Sequence, residues 1–563
     1  MRKFSGMICL LLACLLLCSC SIEGLWQSGK PPKIAYVPLD DRPNNAECME
    51  YMAQSLGYEL LMPEADLYAT RLNNQPLNSN GTQCGNRAAL YEWLLEQESE
   101  GCDRYIIFMD QLISGGLVNS RAMSDNESVT LSDGTVLTEK QLIEKLVGLL
   151  ESDGDNRVFL LDTVMRLAPT VGYKQWTMED YTNVRAWASQ PRIECELSPD
   201  AIAECYGLNA EGEHIDAADY GISEDALNEY LKVRERKLQL SCDLFNALSG
   251  NNVFSVLVGI DDSSEENCIQ KNELEYIRGR LDKNDALLSG VDDMGYKALA
   301  RLYLDETEWQ GCKAKVCYFG ESKDIPASAF DYSSLEATVE EHLDYFDIKK
   351  SDTAELVLAV LTTPADETQK DRYLDELFAA MKTANANQKT VMLMDASGGA
   401  YGEELKNRLV DEAELGKLLA YAGTLDLANL TGVALSHGIS RYALLKSGGD
   451  TEYTKQGFER CMADVLIKDL CYRTVVRSET AELVRSMEGS PENFCEPRID
   501  ESAVLDFTVQ RMNELVPELM DNLGKSSVIT SLSPYCEEDW NAVEIGNYSF
   551  PWHRTFEFTF NFK

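Results

Sequence analysis

Histidine is scarce. The 563-residue chain has four, His214, His342, His437 and His553, and none stands in an HExxH or other close metal-ligand spacing. No GxSxG turn presents a serine nucleophile, and no GxxxxGK[ST] loop cradles a phosphate. After the first twenty residues no run of eighteen apolar residues occurs, so nothing there reads as a membrane span. Of 17 cysteines, four lie in the first twenty residues. The other thirteen are scattered without CxxC or Cys/His zinc spacing, Cys312 and Cys317 being closest, so no regular disulfide framework is expected. No internal repeat or low-complexity segment is evident. With these devices missing, acid and base work falls most naturally to carboxylates.

Positive charge is also short: 51 Lys and Arg face 94 Asp and Glu, a formal net charge of -43. That excess repels phosphate backbones and anionic headgroups, so neither nucleic acid nor acidic lipid is an expected ligand. It also keeps an exported protein soluble. Export is indicated by Arg2 and Lys3, the apolar stretch from Met7 to Leu17, and then Leu17-Cys18-Ser19-Cys20. This is the form of a bacterial lipoprotein signal, cut before Cys20, with the lipid on Cys20. An ordinary secretory peptide or an uncleaved anchor is the alternative, although the apolar run is short for a bilayer. Loss of residues 1–19 removes Arg2 and Lys3 and takes the charge from -43 to -45. The expectation is a membrane-anchored protein outside the cytoplasm, with residues 20–32 as a tether.

Strand-like apolar runs at 33–39, 57–62, 103–109, 157–162, 253–259, 286–290, 314–319, 355–361 and 389–395 alternate with segments of helical periodicity. This order predicts an α/β fold with a parallel sheet, closed as a barrel or open and doubly wound. The α/β region is expected over 33–400, as one body or two subdomains, with an insertion at 171–230. Residues 401–563 read as mainly helical, apart from an apolar run near Gly432 and a final strand, FEFTFNF, whose alternating phenylalanines mark one buried face.

Aspartates recur where these strands stop: Asp40 and Asp41, Asp110, Asp162, Asp261 and Asp262, Asp292 and Asp293, and Asp395. Strand carboxyl ends form one rim in α/β folds, where ligand sites are built, so these acids are expected to converge. Asp261 and Asp262 form the leading acid/base pair, since paired carboxylates break glycosidic bonds. The plainer reading has them capping a following helix. In PLDDRPNN, Asp40, Asp41, Arg42 and Asn44 are suited to sugar hydroxyls, whereas Asp41 alone would pair with Arg42 or cap a helix. Gly115 and Gly116 let backbone approach a ligand or mark a turn, with Arg121 facing the same rim. Asp162 and Arg166 read as an ion pair or as pocket lining, and Asp292 and Asp293 as pocket lining or a helix start. Such oxygen-rich clusters suit calcium or magnesium, but no loop has recognisable ligand spacing, so no metal or other cofactor is expected.

VPLDDRPNN at 37–45, DQLISGGLVNSR at 110–121, DTVMRLAPT at 162–170, GIDD at 259–262, GVDDMG at 290–295, and YAG with Asn429 and Gly432 occur in this order. Together they resemble an exported bacterial family known as a domain of unknown function, number 4127, over nearly the whole mature chain. The resemblance implies no established reaction. That family's pattern carries Trp-Asn-Thr after the YAG glycine, where this chain has Thr424, Leu425 and Asp426; the departure implies altered specificity or a degenerate site. Three readings follow: a surface glycoside hydrolase, a non-catalytic surface protein that binds a glycan, and a metal-dependent hydrolase. Opposed catalytic acids would stand about 5–5.5 Å apart for retention or about 6.5–9.5 Å for inversion.

Overall fold

The computed structural model describes residues 30–122, 128–248, 253–264, 267–423, 427–495 and 498–563. The leader, Cys20 and most of the tether lie outside them, as do Thr424, Leu425 and Asp426. The strands are β1 Lys33–Val37, β2 Glu59–Leu61, β3 Arg104–Phe108, β4 Ser128–Thr130, β5 Val136–Thr138, β6 Arg157–Val164, β7 Phe254–Ile260, β8 Ala286–Ser289 and β9 Cys312–Phe319. There follow β10 Ile348–Lys350, β11 Leu356–Thr362, β12 Thr390–Ala396, β13 Leu418–Gly423, β14 Ser527–Leu532, β15 Tyr535–Asp539, β16 Ile545–Ser549 and β17 Thr559–Phe562.

Two parallel sheets organise the fold, one in the order β2-β1-β3-β6-β7-β8 and the other β10-β9-β11-β12-β13. Counted within each sheet, these read 2-1-3-4-5-6 and 2-1-3-4-5: one winding scheme is used twice. Both sheets are open, which decides against a closed barrel. Every residue of β11, β12 and β13 is buried, as expected of strands covered by helices on both faces. The helix Glu139–Leu150 shows how local sequence sets these covers. Thr138 and Gln141 form a capping box at its start, and Leu142, Ile143, Leu146 and Leu150 return every three or four residues to bury one face.

The parallel architecture continues past residue 400, because β13 adds a strand after the point where the sequence turns helical. The apolar run near Gly432 belongs to the helix Leu427–Ser447, where Leu430, Ala434, Leu435 and Ile439 are all fully buried. This helix follows the second sheet and packs on the helix Met294–Glu306, which follows the first. Contact is close at Gly432: a Cβ there would lie 1.6 Å from Asp293 Oδ2 and 2.4 Å from Lys297 Cε. One apolar core therefore joins the two sheets, with Tyr36, Ile106 and Leu257 from the first and Leu358, Met392 and Ala420 from the second.

Beyond these layers the chain forms the helices Glu452–Val465 and Arg477–Ser486, linked by a π-helical run at Leu466–Val476, and then the helix Glu501–Lys525 and two small antiparallel hairpins. The final strand is shorter than the alternation of FEFTFNF predicts. Only Thr559–Phe562 pairs, with β16; Phe558 and Phe560 are buried, while Phe556 turns to the cleft described next.

Candidate active site

In the first sheet the chain leaves β1 for β2 on one side and returns to β3 on the other, which opens a crevice at the strand carboxyl ends. A cavity of about 440 Å³ lies on this rim. That volume falls in the range of small-molecule sites, about 300–1,000 Å³. The loop after β1 supplies Arg42, the segment after β3 Arg121, the loop after β6 Arg166, the end of β7 Asp261 and Asp262, and the loop after β8 Asp292. Tyr181 comes from the 171–230 insertion and Phe330 from the chain after β9. Arg477, Glu492, Trp552, Arg554 and Phe556 come from the C-terminal region. A larger groove, about 800 Å³, lies between the helices Gly402–Glu412 and Glu501–Lys525; Asp411, Glu414, Glu518, Asp521 and Asp539 line it, and it holds none of the rim residues.

Each cleft aspartate meets an arginine. Asp261 accepts from Arg121 Nη2 within an ion pair whose side chains are 6% and 8% exposed. Its other oxygen accepts from the Asp262 backbone N–H at 2.9 Å. Asp262 is held more loosely, by Arg166 Nη1 at 3.3 Å. Burial first, and the charge of Asp261 second, push Asp262 above the usual carboxylate range, against the opposite pull of Arg166 and Arg121. Arg42 grips Asp292 with both Nη atoms, at 2.8 and 2.5 Å, and Asp40 through Nε at 3.0 and 2.9 Å. Such forked pairing fixes geometry as well as charge.

Deeper groups hold these loops. The buried Arg234 donates to the carbonyls of Met165 and Arg166, each at 2.9 Å, and Gln270 bridges the Met165 and Asp261 carbonyls. Asn429 Oδ1 accepts from the backbone N–H of both Val291 and Asp292, so Asn429 is tied to GVDDMG. Gly259 of GIDD is packed so tightly that a Cβ would sit 2.6 Å from the Gly290 carbonyl.

Several residues expected at the site are elsewhere. Asp110 and Asp162 do not face the cleft: Lys237, from the helix Glu224–Leu248, pairs with both, at 2.9 and 2.6 Å. β6 continues through Asp162 to Val164, so Asp162 is inside the strand, and Arg166 pairs with Asp262 rather than with it. Asp293 is fully buried against Lys297 at 2.9 Å and makes no cap bond to its helix. Asn44 contributes its backbone carbonyl to Tyr296 and does not line the cavity. Gly115 and Gly116, with φ of 81° and 129°, pack closely against the 84–85 segment and Thr70 and do not line the cavity. Asp40 stands behind Arg42, and Asp41 behind Trp552, whose Nε1 donates to it at 2.8 Å; Arg71, not Arg42, is its ion-pair partner.

The residues missed by sequence reasoning are Tyr181, Phe330, Arg477, Glu492, Trp552, Arg554 and Phe556. The alternation Trp552-His553-Arg554-Thr555-Phe556 before the last strand was a local signal for three of them. Arg477 has none.

Asp41 gives a stability test. Burial, the largest influence, raises it to about 6. Its unfolded value is about 3.9, so the unfolded chain loses this proton first and Asp41's contribution to stability falls as pH climbs from about 4 to about 6. Asp41→Asn is expected to remove that fall, read as the difference between urea midpoints at the two pH values.

The fold and rim define the class: an α/β protein with a cleft of charged and aromatic side chains at the strand carboxyl ends of its first sheet. The family model described as "Protein of unknown function (DUF4127)" matches residues 34–561, and the chain belongs to that family. No curated protein matches it. Among the described residues no three or more His, Cys, Asp or Glu side chains are grouped to hold a metal ion.

Proposed function

We propose that this protein is a carbohydrate-active enzyme, held on a membrane surface outside the cytoplasm by a lipid on Cys20, that cleaves a glycosidic bond with Asp262 as proton donor. The observation that carries this reading is the Asp261–Asp262 pair at the cleft floor. Asp261 is paired with Arg121, while Asp262 has one long contact and burial raises its pKa. Tyr181, Phe330, Trp552 and Phe556 line the same cavity, and their apolar faces suit the C–H faces of sugar rings. Proton donation to the leaving oxygen is the step that such a carboxyl performs. The test is turnover of chromogenic glycosides beside ligand binding in Asp262→Asn. Lost turnover with retained binding supports the enzyme, and unchanged turnover rejects Asp262 as the donor.

One observation favours a binding-only role instead: Asp261, Asp262 and Asp292 all have arginine partners, as in a surface prepared to present fixed acceptors. Measurable glycan binding with no turnover by the native chain would select that reading.

Anchoring is tested separately. Cys20→Ala is expected to move the protein from the membrane to the soluble extracytoplasmic fraction, or to leave the leader uncleaved, with no lipid adduct by mass spectrometry. A lipid adduct remaining in that variant would refute Cys20 as the attachment point.

A further inference from the structure

Guanidinium groups and aromatic rings alternate along one wall of the cleft. Arg42 lies 5.3 Å from the Trp552 ring centroid, Arg554 4.8 Å from Trp552 and 5.6 Å from Phe556, and Arg477 4.5 Å from Phe556. Carboxylates neutralise the first two cations: Asp40 and Asp292 hold Arg42, and Glu557 holds Arg554 at 2.5 and 2.6 Å. Arg477 differs. Among the described residues its guanidinium has no hydrogen bond or ion pair, and Glu492, on the same cleft, attracts it only through space.

A partly buried cation with no ion-pair partner is costly, so its placement requires a reason. Burial lowers the pKa of Arg477 against the pull of Tyr472, Glu492 and Glu557, so the negative charge near it does not offset its burial. This shortage exists in a chain with a formal charge of -43. Surface carboxylates do not make it up, because screening limits them to about 8 Å at physiological ionic strength.

We propose that Arg477 receives a single negative charge on the ligand, so that the cleft takes an acidic saccharide carrying a carboxylate or sulfate ester. This rests on the carbohydrate reading of the site. A guanidinium offers two parallel donors to either group. One unmatched cation matches a monoanion, whereas Asp261, Asp262, Asp292 and Glu492 on the same cleft oppose a dianion such as a phosphate monoester. The Phe556 ring beside Arg477, and the Trp552 ring further along the same wall, would carry the uncharged part of the sugar.

The experiment is arginine modification of the full mature chain by phenylglyoxal, followed at Arg477 by peptide mass spectrometry. The probes are sodium D-glucuronate, sodium methyl sulfate and D-glucose, with ionic strength equalised by sodium chloride. The modification rate at Arg477 is expected to fall severalfold with glucuronate or methyl sulfate and to stay unchanged with glucose. Protection by glucuronate alone assigns a carboxylate, and protection by methyl sulfate alone a sulfate ester. Equal protection by glucose, or no protection by either anion, overturns the proposal. Glycoside turnover is measured in parallel: cleavage of neutral glycosides without anion protection leaves the glycosidase reading standing and removes this one. Anion protection with no turnover does the reverse.

Discussion

Lys237→Met is expected to leave the chain without a stable native state. Lys237 Nζ lies 2.9 Å from Asp110 and 2.6 Å from Asp162, and the three side chains are 7%, 0% and 3% exposed. Burial alone would lower the lysine pKa; the two aspartates overcome that and raise it, so the ammonium remains charged. Thr163 donates to the other Asp110 oxygen and Ser241 to the other Asp162 oxygen, so Asp110 Oδ1 depends on Lys237 alone. Removing one partner of a buried ion pair costs about 3–5 kcal/mol, because the other charge is left uncompensated. Here one substitution strands two carboxylates, against a total stability of about 5–15 kcal/mol. The measurement is soluble yield and urea unfolding. Adding Asp110→Asn and Asp162→Asn to Lys237→Met is expected to recover much of the loss, since the repelling charges go with the cation. A single Lys237→Met variant as stable as the native chain would show that these aspartates are not held as an ion cluster.

Asp262→Asn is expected to lower turnover of an accepted glycoside by about 100- to 10,000-fold, the contribution of a positioned general acid. Binding should be nearly unchanged, because asparagine keeps the shape and an acceptor oxygen for Arg166 while losing the transferable proton. The sign of the pH effect follows from the same group. A proton donor works only while protonated, and the raised pKa of Asp262 extends that state upward, so turnover declines as pH rises through it. The residual activity of the asparagine variant should lack this declining limb. A variant that keeps the limb would assign it to another residue and remove Asp262 from the chemistry.

How these aspartates divide, cluster against cleft, marks the limit of the sequence. Asp162 and Asp261 both follow apolar strand runs and look alike in one dimension. Asp162 is interior to β6 and faces the helix carrying Lys237, whereas Asp261 lies just past β7 on the rim. Period-two alternation tells that neighbouring side chains take opposite faces, but not which face a helix will cover.

By itself the sequence determined the α/β class and the nine runs that became strands, and it put acidic residues at the ends of those runs. Those properties arise from local periodicity and from the strand-helix order, which a parallel sheet turns into a common edge. Only the tertiary structure decided the ion-pair partners and the outer wall of the cleft. Arg42 takes Asp292, 250 residues away, rather than its neighbour Asp41, and Trp552 reaches Asp41 across 511 residues. A charge pairs with what lies within a few ångströms when the chain is folded, and that distance is fixed by the packing of both sheets and the C-terminal helices together.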